Sequence, residues 1–165
     1  MKSLVFATSN SNKLKEVESA LNNFKIINLN DIGFAEEIPE TGDSLRANAI
    51  IKAKHVYSKT GMNCFADDTG LEIESLNGSP GIYSARYAGN NCNSKDNITK
   101  VLKELLGSQN RVAAFKTVFA LIINNELVCF EGKINGEILN SPQGSKGFGY
   151  DPIFKPIGYK KSFAE

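Results

Sequence analysis

The feature that most restricts the fold is a pair of long apolar, β-prone runs. Val112–Ile123 and Leu127–Ile134 flank Asn124-Asn125. This reads as a hairpin of two long strands, because asparagine tolerates the positive φ that a tight two-residue connection requires. Long strands of this kind are stable only within a larger sheet covered by another layer.

The rest of the chain supplies strands and helices for those layers. Ser3–Ala7 is a short β-prone run, Leu14, Val17 and Leu21 recur at helical spacing in the segment from Asn12 onward, and Lys25–Leu29 is a second strand candidate. After Ser44 the apolar positions Leu45, Ala49, Ala53 and Val56 predict a long helix to about Lys59, with Thr41, Asp43 and Ser44 available as caps. Cys64–Ala66 reads as a brief strand running into Asp67 and Asp68, with Leu71–Ile73 as its antiparallel continuation, and Asn77–Gly81 is turn chemistry. Ile98, Val101, Leu102, Leu105 and Leu106 stripe a further helix behind a Ser94 cap, with Gly107 as its stop. Beyond Gly136 the chain reads as loop, dense in glycine and proline. The sum is one α/β domain over residues 1–165 with a mixed sheet.

Composition narrows the chemistry. A hydrophobic fraction of 41% and a charged fraction of 22% exclude a disordered chain. A net charge of +1 provides no global field for a nucleic-acid polymer, so a bound anion must be met by a local cluster of donors. Cys64, Cys92 and Cys129 are odd in number and form no C-x-x-C, which points to a reduced, cytoplasmic setting without disulfide or thiolate zinc. The longest apolar stretch, Val118–Ile123, is far short of the roughly 20 residues needed to span a bilayer, so no membrane partner is expected. With His55 as the single histidine, carboxylates, lysines and backbone amides must do most of any catalytic work.

Four segments carry candidate chemistry. Thr8-Ser9-Asn10-Ser11-Asn12-Lys13 joins the first strand to the first helix, where free amides, small polar side chains and a lysine make a phosphate cradle; a capped helix start with a solvated Lys13 is the competing reading. Asp67 and Asp68, followed by Thr69, stand at the end of an apolar run, and carboxylate oxygens suit Mg²⁺; an Asx-turn is the alternative. The acidic loop Glu36, Glu37 and Glu40 is either a solvated face or, at Glu40, a second metal-facing carboxylate. In Phe148-Gly149-Tyr150-Asp151 the glycine lets the backbone approach a ligand, Phe148 offers a face for a base, and Asp151 before Pro152 is biased toward an extended conformation; a tight loop packing on the core is the alternative. Lys52 and Arg86 are further candidate phosphate ligands, whereas His55 and the cysteines read as packing or surface residues.

Taken in order, T-S-N-S-N-K, E-T-G-D-S-L-R-A-N-A-I-I-K-A, A-D-D-T-G-L-E-I, G-S-P-G-I-Y-S-A-R-Y-A-G and G-F-G-Y-D-P-I-F closely resemble the inosine triphosphate pyrophosphatase family. The resemblance implies hydrolysis of non-standard purine nucleoside triphosphates (ITP, dITP, XTP) to monophosphate and pyrophosphate, with magnesium as cofactor, in a cytoplasmic homodimer. It implies an elongated α/β fold with a long mixed sheet flanked by helices and an active-site cleft between two lobes. On matching positions, Thr8 to Lys13 and Lys52 would bind the triphosphate. Glu40 and Asp68 would hold the metal, with Asp68 also accepting the proton of the attacking water. Thr69 would touch the substrate and Phe148 to Asp151 would hold the base, with Asp67 and Arg86 in support. Family members continue past F-A-E into a segment with a lysine and a Ser-His-Arg motif that reads the base; the present chain stops at Glu165. The alternatives are a Maf-type pyrophosphatase acting on pyrimidine or modified nucleotides, and a non-catalytic nucleotide-binding module.

Overall fold

The computed structural model describes residues 2–165. In chain order the elements are β1 (Lys2–Phe6), α1 (Ser11–Ala20), β2 (Phe24–Ile27), α2 (Leu45–Thr60), β3 (Cys64–Ile73), α3 (Ser94–Glu104), β4 (Val112–Ile123), β5 (Glu126–Ile138) and β6 (Phe154–Pro156). The strands form one mixed sheet in the order β2-β1-β3-β4-β5-β6. β1 runs parallel to both β2 and β3, while β5 and β6 are antiparallel. This is the α/β class with helices and a mixed sheet that the patterning predicts. Among the described residues no helix is long and apolar enough to cross a membrane.

The hairpin forms where expected, with Asn124 and Asn125 at φ 50° and 68°. Both central residues at positive φ is the turn whose twist matches that of the flanking strands. Ser44 caps α2 by accepting the Ala47 amide. For α3 the cap is Asn93 rather than Ser94: its side chain accepts the amides of Lys95 and Asp96, so the helix starts one residue earlier than a serine cap would allow.

Two expectations are corrected. β3 is one continuous strand of ten residues, not two short strands joined at the acids. Its buried flanks explain this: Cys64, Phe65 and Ala66 on one side of the acids and Leu71 and Ile73 on the other are all core residues, so the chain gains by running straight between them. The C-terminal stretch is not all loop either. β5 continues to Ile138, and Phe154–Pro156 pairs with Gly136–Ile138. Gly136 permits that approach, since a Cβ there would lie 2.5 Å from the Lys155 carbonyl oxygen.

The chain divides into two compact units, residues 1–68 with 118–131 and residues 69–117 with 132–165. In the first, Leu4, Phe6 and Phe65 form a core cluster covered by Leu14 and Val17 of α1 and by Phe24, Ile26, Phe119 and Leu121. Phe6 and Phe65 stack with ring centroids 4.5 Å apart. In the second, Leu71, Ile73, Ile98, Val101, Leu105, Ile138, Ile153 and Phe154 cluster, with Phe115 and Phe163 against the Phe154 ring at 4.7 and 5.1 Å. Arg111 closes the end of α3 in that unit by donating to the carbonyls of Leu105, Ile138 and Leu139 at 3.2, 2.6 and 2.9 Å. One guanidinium thereby ties the C-terminal end of α3 to the end of β5.

Candidate active site

The first unit concentrates charge where its core ends. α2 presents Leu45, Asn48, Ala49, Lys52, Ala53 and Val56 as its buried face. Two polar groups therefore sit within an apolar stripe, and each must find a partner. Lys52 Nζ lies 2.8 Å from Glu40 Oε1 and 3.0 Å from Asp68 Oδ1. Asn48 donates to Asp68 Oδ2 at 3.2 Å and accepts the Gly42 amide at 2.8 Å. Burial works against the Lys52 charge, but Asp68 and Glu40 outweigh it and hold the ammonium above its ordinary range. Asp68 is pushed above the usual carboxylate range by burial, with Lys52 and Asn48 pulling the other way.

Asp67, one residue earlier on β3, meets Lys13 at 2.5 Å. The two acids thus engage different cations, as the alternation of side chains along an unbroken strand requires. Both are buried, and neither occupies an Asx-turn. Lys13 is consequently paired and not the solvated cation of the competing reading. Within Thr8–Lys13, Asn10 is the cap of α1 and accepts the amides of Asn12 and Lys13 at 2.9 and 3.2 Å, while Thr8 Oγ1 accepts the Asn10 amide at 3.1 Å. The expected free amides at positions 12 and 13 are therefore taken up by the loop's own side chain, because asparagine is among the best caps available. Ser9 and Ser11 are exposed in the same turn.

The second unit carries the remaining candidates. Thr69 Oγ1 lies 2.8 Å from Thr117 Oγ1. Asp151 does not continue in an extended segment ahead of Pro152, as the Asp-Pro bias predicts. It begins a short 3-10 turn, Asp151–Ile153, and its carboxylate turns back to accept the Phe148 amide at 2.8 Å. That bond outweighs the local steric preference. Gly147, at φ 70°, makes room for it, since a Cβ there would meet Asp151 Oδ2 at 2.1 Å. Tyr150 is a core residue whose hydroxyl donates to the Ser84 carbonyl at 2.7 Å. Phe148 and Gly149 are half-buried. Arg86 lies over the Tyr83 ring, 5.2 Å from its centroid.

Burial holds the Asp151 carboxyl above its ordinary value, with the Phe148 amide opposing. A carboxyl raised in the folded state adds stability below its unfolded pKa of about 3.9 and loses that contribution as pH rises through the folded value. Asp151→Asn keeps an acceptor for Phe148 but does not ionise. The melting temperature of the native chain relative to Asp151→Asn is expected to fall as pH rises from 3 toward neutrality (a range set by the carboxyl's ordinary value of about 3.9). A pH-independent difference between the two would contradict the assignment.

The donor set suits one kind of metal. Among the described residues no three His, Cys, Asp or Glu side chains gather as a metal cage. What does gather is a pair of carboxylates, Glu40 and Asp68, converging on one cationic point now taken by the Lys52 ammonium. Mg²⁺ characteristically takes one or two protein carboxylates and completes its shell with water and substrate phosphate, so the pair fits it.

Asn48 is a buried polar partner of Asp68 that the motifs do not single out. Its signal was present: an asparagine on the apolar face of α2, one turn before Lys52. Lys52 reads from the sequence as a phosphate ligand on the same helix, and its burial follows from the same spacing.

The Ham1 family model matches residues 4–165. The dITP/XTP pyrophosphatase of Flavobacterium psychrophilum is 53% identical over 163 residues, covering 98% of this chain and 86% of the relative. That of Porphyromonas gingivalis is 48% identical, covering 100% of this chain and 86% of the relative. A HAM1 protein of Coxiella burnetii superposes with a TM-score of 0.90 at 39% identity, over 99% of this chain and 86% of that one. The Ham1 protein of Staphylococcus aureus gives 0.88 at 36%, over 99% and 85%. With a family match across almost its whole length and relatives at this identity, the chain belongs to the Ham1 family.

Proposed function

We propose that the protein is a nucleoside triphosphate pyrophosphatase that hydrolyses non-standard purine nucleotides, dITP, XTP and ITP, to the monophosphate and pyrophosphate. The observation that carries this reading is the convergence of Glu40, Lys52 and Asp68 at one point, held by Asn48. The names of the relatives support the substrate class.

In this reading Glu40 and Asp68 would hold Mg²⁺, which would supply positive charge against the phosphate oxygens. Asp68 accepts the proton of a water whose oxygen bonds to phosphorus as the α,β-anhydride bond breaks and pyrophosphate leaves. Asn48 and Lys52 fix the Asp68 carboxylate, so the base is oriented before substrate arrives. Thr8 to Lys13 bind the triphosphate, Lys13 being itself steadied by Asp67, and Lys52 supplies positive charge beside it. Phosphoryl transfer is accelerated mainly by such positioning and charge stabilisation. Phe148 to Asp151 hold the base, Thr69 touches the substrate and Arg86 supports it. A cytoplasmic homodimer completes the reading. Three free cysteines suit a reducing compartment, and β5 exposes Val128 and Phe130, apolar groups that a second copy would cover.

The test is pyrophosphate release from dITP, XTP and ITP, against ATP, GTP, UTP and dTTP, with and without Mg²⁺. The expected result is Mg²⁺-dependent pyrophosphate from the first three in preference to the others. Release of orthophosphate alone, or a preference for UTP or dTTP, would overturn it.

A further inference from the structure

α2 carries a second pattern, along the side that meets the preceding loop. Asn48, Lys52, His55 and Lys59 recur at i, i+4, i+7 and i+11, one polar stripe along the helix. Residues 34–43 form neither helix nor strand, and they meet that stripe in reverse order. The Phe34 ring packs edge-on to His55 at 5.9 Å, Glu36 Oε2 lies 3.1 Å from Lys59 Nζ and 3.5 Å from His55 Nε2, Glu40 meets Lys52, and the Gly42 amide meets Asn48. His55 Nε2 is buried and makes no aligned hydrogen bond, so Glu36 is the charge set against it. Gly42 lies so close to the helix that a Cβ would meet the Asn48 amide nitrogen and Oδ1 at 2.8 Å. The loop is fastened at both ends, and Glu40 stands between the fastenings.

We propose that Glu36 is a positioning residue for divalent-cation binding: pinned by His55 and Lys59, it holds the loop along α2 so that Glu40 is presented with Asp68. The inference rests on the metal reading given above. Glu36, His55 and Lys59 are partly exposed, with side-chain accessibilities of 51%, 23% and 50%. Each pair is therefore weak and contributes little to global stability. Its effect is local. A loop already ordered before the cation arrives gives up less conformational freedom on binding, and affinity rises by the amount saved.

The experiment measures Mn²⁺ binding to the nucleotide-free protein by electron paramagnetic resonance, together with amide hydrogen exchange over residues 35–43. Glu36→Lys places a like charge beside Lys59 and removes the carboxylate facing His55, Glu36→Lys with Lys59→Glu restores an opposite pair, and Glu40→Gln reports on the metal site itself. Glu36→Lys is expected to weaken Mn²⁺ binding roughly threefold to tenfold, between the effect of a surface pair and that of a direct outer-shell partner. It should also speed exchange in the loop, and the double variant should recover both. In turnover, the Mg²⁺ concentration for half-maximal rate rises while kcat at saturating Mg²⁺ is retained. Unchanged Mn²⁺ affinity in Glu36→Lys, with weakened affinity in Glu40→Gln, would overturn the positioning role alone. Unchanged affinity in Glu40→Gln would overturn the metal reading and this inference with it.

Discussion

Replacing Asp68 by asparagine is expected to lower pyrophosphate release by roughly 10³-fold or more at saturating Mg²⁺, the scale of losing a positioned general base together with a metal-binding charge. The substitution keeps the side chain's volume and leaves an oxygen to accept from Asn48 or Lys52, whose bonds to the carboxylate are 3.2 and 3.0 Å long. The fold should therefore survive, and a native circular dichroism spectrum will separate a chemical defect from an unfolded one. Retention of more than about a tenth of the native rate would be incompatible with the base role, since such groups contribute at least about 10²-fold.

The second large effect is on stability. Lys52→Met preserves much of the packing of α2 but removes the cation that Glu40 and Asp68 share. Asp68 is 8% exposed and would be left as an uncompensated buried carboxylate beside Glu40. Breaking a buried ion pair from one side costs about 3–5 kcal/mol. Because the Glu40 side chain is 39% exposed, water screens its share and the lower end of that range applies. Urea denaturation in the presence of a chelator measures the loss. Added Mg²⁺ should return part of it, since a ligand that binds only the native state stabilises that state by mass action. A Lys52→Met protein as stable as the native chain in chelator would refute the shared-cation arrangement.

The local pattern of the chain reached most of the fold, and its motifs name Glu40, Lys52 and Asp68, which the structure brings together as a candidate site. The hairpin about Asn124-Asn125, the apolar stripe of α2 and that of α3 as far as Leu105 were legible, because each depends on a period that side chains display whatever lies across from them; Leu106 falls past the end of α3 and is 79% exposed. The pairing of Glu40 with Asp68 could be expected from motif likeness, though not from spacing, since twenty-seven positions separate two residues that meet at one ammonium. At Asp67-Asp68 two adjacent acids look like a strand end when the lysines that pair with them, Lys13 and Lys52, are out of view. For Thr8–Lys13 the sequence leaves open a phosphate cradle or a capped helix start, and the Asn10 side chain does cap α1; Asp151 is expected extended, but the Phe148 amide draws it into a turn. In both, a hydrogen bond two or three residues away competes with the more distant role.

The sequence by itself therefore determined the α/β class, the hairpin, the helices and the set of residues available for chemistry, because periodicity, capping and turn preference act over a few neighbouring positions. Tertiary structure alone decided that Lys52 and Asn48 are buried partners of Asp68, that Lys13 is paired with Asp67, and that Glu36 fastens the loop carrying Glu40 to α2. Those facts turn on which charges are removed from water and against what, and desolvation is a property of the packed chain.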